Sequence, residues 1–274
     1  MLKRSSTRPR IRGQESTSGY APINGLELYY EIHGRGKPLI LLHGGVVGIT
    51  MFGANLAAWA RERQVVAVEL QGHGHTADTA RPLTYEAMAD DIAALIGHLK
   101  IEGADLLGYS LGAGVALQTA IRHPGAIGKL VVVSQACRRD GWYPEVLAGF
   151  DQMGPAVGAI MKNSPLAKRY PSVDWGVLFG KLGLLLRRSY DWSTEVAALE
   201  APTMLVFADA DAVRLAHIVE FWGLLGGGRE DAGLDGSRRP RGELAVLPGV
   251  THYDIGASPL LPAVVRPFLD GSPA

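Results

Sequence analysis

Ser110 stands between two glycines in Gly108-Tyr109-Ser110-Leu111-Gly112, where an apolar run (residues 104–107) meets a helix-like run (residues 114–121). A serine there reads as a nucleophile held on a tight strand-to-helix turn. The glycines matter because such a turn strains the backbone and crowds its flanks. A serine hydroxyl is a poor nucleophile at its ordinary pKa, so it needs a positioned base, and the base needs an orienter. Asp209 and Asp211 follow an apolar run at 202–207, and His252 follows the run 244–247 through Pro248-Gly249-Val250-Thr251. In an open parallel sheet, catalytic groups sit just past the carboxyl ends of strands. All three candidates meet that condition in the order serine, acid, histidine. Such a set performs acyl transfer: the serine attacks a carbonyl, and the histidine takes its proton and returns it to the leaving group.

The surrounding sequence must supply the sheet. Leu26, Leu28, Tyr30 and Ile32 alternate with Glu27, Tyr29 and Glu31, the pattern of a half-buried strand. Gly34-Arg35-Gly36 turns the chain into an apolar strand at 38–42 that ends at His43-Gly44-Gly45. A helix (51–60), a strand (65–68) and a glycine-histidine loop (71–75) come next. The clearest helix is 85–99, whose stripe of Tyr85, Met88, Ala89, Ile92, Leu95, Ile96 and Leu99 leaves Glu86, Asp90 and Asp91 on other faces. A strand at 130–133 follows the serine turn and its helix. The alternation resumes after residue 202 with a helix at 213–225, a strand at 244–247 and a helix at 259–269. Strands alternating with helices imply an α/β fold with a mostly parallel sheet covered on both faces.

Between 138 and 198 the alternation stops. Trp142, Tyr143, Met153, Met161, Trp175, Phe179, Tyr190 and Trp192 are scattered there among glycines and prolines. The organisation expected is a disordered basic tail (1–19), a core in two pieces (20–137 and 199–274) and a mostly helical cap (138–198). Residues 226–242, rich in glycine and arginine, read as a mobile surface loop.

Composition narrows the function. Lys+Arg and Asp+Glu are both 27 in a chain of 274 residues, a balance that suggests neither nucleic acid nor a membrane surface as partner. The single cysteine, Cys137, excludes an internal disulfide and supplies no metal-ligand cluster. His73 and His75 offer two imidazoles but no third or fourth ligand nearby, so no metal site is expected. The basic first residues lack the apolar stretch of a secretory signal, and no run reaches the ~18 apolar residues of a membrane span. The expectation is a soluble, cytoplasmic protein, monomer or homodimer, with no cofactor.

Five stretches together resemble the α/β-hydrolase superfamily, among its cap-bearing esterase-like members, over residues 20–270: residues 38–45, Gly72-His73-Gly74-His75, residues 108–112, residues 202–211 and Gly249-Val250-Thr251-His252. The resemblance implies an eight-stranded-type sheet flanked by helices. It implies Ser110 as nucleophile, His252 as base and Asp211 as orienter, with Asp209 structuring the loop. The backbone N–H of Leu111 is one candidate oxyanion donor. By family position Gly45 is the other, with Val46 a weaker candidate, and His43 braces the loop. Three departures stand out. Ala208 replaces a usual glycine, residues 226–242 lengthen the gap from Asp211 to His252, and Glu69 and Gln71 replace an Asp and an Arg, which puts a local ion pair in doubt.

The cap's aromatics and methionines suggest an apolar pocket, though more than half should merely pack the cap onto the body. Arg138, Arg139, Lys168, Arg187 and Arg188 read as solvated faces rather than carboxylate clamps. The substrate class is then a neutral carboxylic ester with a hydrophobic acyl part. The alternatives are a lactone, N-acyl homoserine lactones included, a C–C bond hydrolase, an acyltransferase or perhydrolase, and, furthest off, a binding protein without turnover. A serine nucleophile argues against haloalkane dehalogenases and epoxide hydrolases, which use an aspartate at that position.

Overall fold

The computed structural model describes residues 16–271. Its strands are β1 (Ser16–Ile23), β2 (Leu26–His33), β3 (Lys37–Leu42), β4 (Arg63–Val68), β5 (Ala104–Tyr109), β6 (Ile127–Val133), β7 (Thr203–Ala210) and β8 (Gly242–Thr251). They form one eight-stranded sheet in the order β1-β2-β4-β3-β5-β6-β7-β8. β1 and β2 are antiparallel to each other and β2 to β4; every other pairing is parallel. The apolar runs make the central strands because a parallel sheet is buried on both faces. Period-2 alternation then sorts the side chains. Ile40, Leu42, Val66, Val68, Leu106, Val132 and Leu205 face one core, while Leu39, Leu41, Val65, Ala67, Leu107, Val131 and Val206 face the other.

The body helices are α1 (Gly53–Trp59), α2 (Tyr85–His98), α3 (Leu111–Arg122), α9 (Leu215–Leu224) and α10 (Leu260–Asp270). Those between 138 and 198 are α4 (Pro144–Gln152), α5 (Pro155–Met161), α6 (Pro165–Arg169), α7 (Trp175–Arg187) and α8 (Ser193–Ala197). The backbone N–H of Ala87 donates to Thr84 Oγ1 (3.0 Å) to cap α2, and Asp174 accepts N–H groups of Gly176 and Val177 to cap α7. Trp175, Leu178, Phe179, Leu182 and Leu185 bury one side of α7. Among the described residues no helix is long and apolar enough to cross a membrane.

Several boundaries differ from the sequence reading. Strand β1 takes in Ser16 to Gly19, the end of the stretch expected as a tail; residues 1–15 lie outside the described residues. Ser-Thr-Ser-Gly has no apolar alternation to betray a strand, because it is held by edge pairing with β2 rather than by burial. Asp91, off the apolar stripe of α2, is nonetheless buried at 2% exposure, paired with Arg81 and accepting from Asn24 Nδ2 at 3.0 Å. The helix after Ser110 begins at Leu111, three residues earlier than its apolar run suggests.

One buried charge cluster ties together the amino ends of the central strands, opposite the candidate site. Asp105 is fully buried on β5 and accepts from Arg63 (2.6 Å), Lys37 (2.9 Å) and the backbone N–H of Lys129 (3.0 Å). Arg63 reaches on to Asp270 at 2.7 Å, joining β4, β5 and the end of α10. Lys129 Nζ donates to the carbonyls of Phe268 (2.6 Å) and Leu269 (3.2 Å) in the same helix end. Removing Asp105 leaves the buried Arg63 guanidinium with only the half-exposed Asp270 carboxylate, and Lys37 and the Lys129 N–H without their acceptor. Asp105→Ala is therefore expected to cost about 3–5 kcal/mol in urea unfolding. A loss below about 1 kcal/mol would show that water enters the cluster and screens it.

Candidate active site

The turn from β5 into α3 forces Ser110 to φ 50°, ψ −117°, a left-handed backbone that L residues rarely adopt. The glycines have identifiable reasons. A Cβ on Gly108 would overlap the Gly112 carbonyl, and one on Gly112 would overlap the carbonyls of Leu42 and His43. Strand β5 and helix α3 can approach this closely only without those methyl groups. Ser110 N–H donates to Val133 O at 2.9 Å, so the turn also hangs from the end of β6.

Ser110, His252 and Asp211 come together. Ser110 Oγ lies 3.2 Å from His252 Nε2, and His252 Nδ1 lies 3.1 Å from Asp211 Oδ1. With Nδ1–H donating to the carboxylate, Nε2 is left to accept the serine proton. Asp211 is held on every side: Ser134 Oγ donates to Oδ2 at 2.5 Å, Ala208 N–H donates to Oδ2 at 2.9 Å, and Val213 N–H donates to Oδ1 at 3.2 Å. Burial alone would raise this carboxyl. Hydrogen bonding and charge from His252, with the Ser134 and Ala208 donors, outweigh it and hold the group below the usual carboxylate range. Tyr109 OH donates to the His252 carbonyl at 2.6 Å and fixes the loop that carries the ring.

Asp209 points elsewhere. It sits where the register of β7 against β8 shifts, between Ala208 and Ala210, and its carboxylate accepts Gly249 N–H at 2.9 Å. It staples the loop before His252 and touches neither His252 nor Ser110.

Gly45 and Leu111, the first residue of α3, line the same cavity as Ser110, and no acceptor engages either N–H among the described residues. Val46 is different: its N–H donates to His73 Nε2 at 3.3 Å. His43 Nε2 accepts Leu70 N–H at 3.0 Å, and its Nδ1 donates to Gly44 O at 2.7 Å, so the ring braces the loop that carries Gly45. His73 Nδ1 is satisfied by Gln71 O at 2.9 Å, and His75 Nδ1 by Glu69 at 2.7 Å. The residues in place of the usual Asp and Arg thus build their own network. Glu69 takes the N–H and ring of His75, while Gln71 Nε2 donates to Asp78 (2.8 Å) and Gln71 Oε1 accepts from Arg81 (2.6 Å). No group of three or more His, Cys, Asp or Glu among the described residues could hold a metal ion.

A cavity of about 190 Å³ opens over Ser110, bounded below by Gly45, Tyr109, Leu111 and His252 and above by Trp142, Val146, Phe150, Met153, Leu182 and Leu186. Of the aromatics and methionines read in the 138–198 stretch, only Trp142 and Met153 line it. Trp175, Phe179 and Trp192 are buried packing. The five basic residues named from sequence do not line the cavity. Arg138 pairs with Asp140 and Glu220, Arg139 with Asp151, and Arg188 with Glu86.

Ser134, Gln135 and Tyr85 were not singled out from sequence. A signal for Ser134 existed: it directly follows the apolar run 130–133, the carboxyl end of a parallel strand. Nothing distinguished Tyr85 from the rest of its helical stripe.

With this geometry in hand, the chain belongs to the alpha/beta hydrolase family, whose model matches residues 39–263. It is 27% identical over 214 residues to the AB hydrolase superfamily protein YisY of Bacillus subtilis, covering 68% of this chain and 78% of that one. A Pseudomonas putida protein, the dihydrolipoyllysine-residue acetyltransferase component of an acetoin cleaving system, is 29% identical over 258 residues, which cover 88% of this chain and 66% of that one. In fold it is similar to the enol-lactonase from Burkholderia xenovorans, with a TM-score of 0.70 at 22% identity over 92% of this chain and 100% of that one.

The loop-bracing histidines set an acid limit on the fold. Burial, joined by repulsion from His73, pushes the His43 pKa down to about 3, and burial pushes His73 down to about 4. Both lie below the unfolded value of about 6.5, so the unfolded chain binds more protons as pH falls through the window between. Stability should decline from about pH 6.5 toward pH 4, by up to about 1.4 kcal/mol per pH unit for each ring. Thermal melting across that range checks it, with His73→Asn giving a shallower slope than the parent. An identical slope would remove His73 from the account.

Proposed function

We propose that this chain is a serine hydrolase that cleaves carboxylic esters with an apolar acyl part through an acyl-enzyme. The observation that carries the reading is the continuous relay from Ser110 Oγ through both nitrogens of His252 to a buried, fourfold-bonded Asp211, opening into an apolar cavity.

Ser110 Oγ attacks the ester carbonyl as Nε2 of His252 takes its proton, and Asp211 stabilises the imidazolium that results. The carbonyl oxygen becomes an oxyanion that the N–H groups of Gly45 and Leu111, both free of other acceptors, stabilise. His252 then delivers the proton to the departing alkoxide. Water, activated by the same histidine, releases the acid and restores the serine. A lactone would open along the same path. Passage of the acyl group to an alcohol instead of water would make a transferase, a reading that the acetyltransferase relative keeps in view.

p-Nitrophenyl butyrate should give a burst of p-nitrophenol that Ser110→Ala abolishes; equal traces for the two proteins would remove Ser110 as nucleophile. Asp211→Asn should lower kcat/KM on the order of a thousandfold or more, since it permits the wrong histidine tautomer. Asp209→Asn, which loses only a loop staple, should cost less than about tenfold, and the reverse ranking would exchange their roles. A lactone panel run beside the esters reads the ring preference. Faster release of acid from lactones than from open-chain esters would assign the site to lactones.

A further inference from the structure

The charge balance of the whole chain hides a local excess. Residues 155–188 carry Lys162, Lys168, Arg169, Lys181, Arg187 and Arg188 against one acid, Asp174, so this stretch stands at +5 and the remainder at −5. Three of those cations are engaged inside the chain. Lys181 pairs with Asp78, Arg187 donates to the carbonyls of Asp151 and Met153, and Arg188 pairs with Glu86. Lys162 and Lys168 have no acidic partner among the described residues, and both line one open cleft of about 550 Å³. Asp174 shares that cleft, but its carboxylate is occupied in capping α7.

Lys162 directly follows α5, whose sequence Pro-Ala-Val-Gly-Ala-Ile-Met has no polar side chain. A helix that is apolar all round belongs in a core or in lipid. Here only Gly158 is buried, and through it α5 rests on α7: a Cβ at Gly158 would overlap the Trp175 carbonyl. Val157 and Ile160 of α5 and Val177 and Leu184 of α7 are exposed, Ile160 at 75% and Leu184 at 64%. Leu182 and Leu186 of α7 line the cavity over Ser110 instead. The exposed apolar side chains thus stand on the outer surface of the cavity's own roof.

What covers such a face follows from what it lacks. A protein partner is held by aromatic and arginine anchors and by about one hydrogen bond per 100–200 Å². These four side chains are aliphatic, and α5 offers no side-chain donor or acceptor. A second copy of this chain, paired about a twofold axis, would set the +5 stretch against itself. A fluid lipid surface requires no register, accepts aliphatic side chains at the headgroup boundary and, when anionic, attracts lysines. We infer that the outer face of α5 and α7 docks this protein onto an anionic lipid surface, with Val157, Ile160, Val177 and Leu184 entering the interface and Lys162 and Lys168 meeting the lipid phosphates. The docking is independent of the reaction in the cavity.

Co-flotation of the full chain with vesicles tests it, using phosphatidylcholine alone and phosphatidylcholine mixed with phosphatidylglycerol. The chain should float with the mixed vesicles, at least about tenfold more than with the neutral ones, and less so at high salt. Ile160→Ser and Leu184→Ser should each lower the partition coefficient on the order of tenfold. Lys162→Gln combined with Lys168→Gln should lower it by a similar factor on the mixed vesicles alone. Leu215→Ser, at an equally exposed leucine on α9, should leave it within about twofold of the parent. Each variant alters an exposed side chain, so an unchanged melting temperature confirms that the fold is intact. No flotation with the mixed vesicles, or partition that the α5 and α7 variants leave at the parent value, would overturn the inference. So would a lipid-free dimer that Ile160→Ser converts to monomer, which would give this face to a second copy. Flotation needs no turnover, so an inactive ester assay counts against the serine-hydrolase reading and leaves this result standing.

Discussion

The close passage of α3 over the ends of β3 and β5 is the constraint on which the rest of the site depends. Because Gly108 and Gly112 carry no side chains, the helix starts one residue after Ser110, which is pinned in a left-handed conformation it would not choose. Its N–H is tied to Val133 on the neighbouring strand. The Ser110 hydroxyl is thereby placed by backbone crowding, and the Leu111 N–H is left pointing past the first turn of a helix, where such groups have no partner of their own. The partly positive helix end then adds to whatever negative charge develops beside it.

The other members of the site are held by second contacts of comparable quality. Asp211 is a buried carboxylate with donors on both oxygens, so it has no freedom to swing away when His252 moves between neutral and charged forms. His43 and His73 perform a similar service for the loop bearing Gly45, as neutral rings that each give one hydrogen bond and take another. The polar groups around the cavity floor are thus nearly all committed to one another.

Much of this was legible in the residues, for definite reasons. The central strands announce themselves as continuous apolar runs because both faces of a parallel sheet are covered. Ser110, Asp211 and His252 could be placed because a parallel sheet puts such groups at strand ends, and strand ends can be found. What resisted reading depended on tertiary contacts. Strand β1 is held at an edge by pairing alone, so its first residues carry no pattern. Asp91 looks like one more surface acid on α2 until Arg81 and Asn24 are brought to it from distant loops. In the 138–198 segment, residues of one type have different fates: Trp142 roofs the cavity and Trp175 is packing, and spacing alone does not separate them.

The staple from Asp209 to Gly249 has a bearing on how this chain can tolerate change. It closes the β7–β8 pair right beside the acid and the histidine, while the intervening residues 226–241 loop out over the far end of the same strands. Loop closure depends only weakly on length, each doubling adding about 0.6 kcal/mol. His252 is therefore insulated from whatever happens in that excursion. The segment is a natural place for this lineage to accept insertions, or for an engineer to add a second domain, with the geometry between Asp211 and His252 left as it stands.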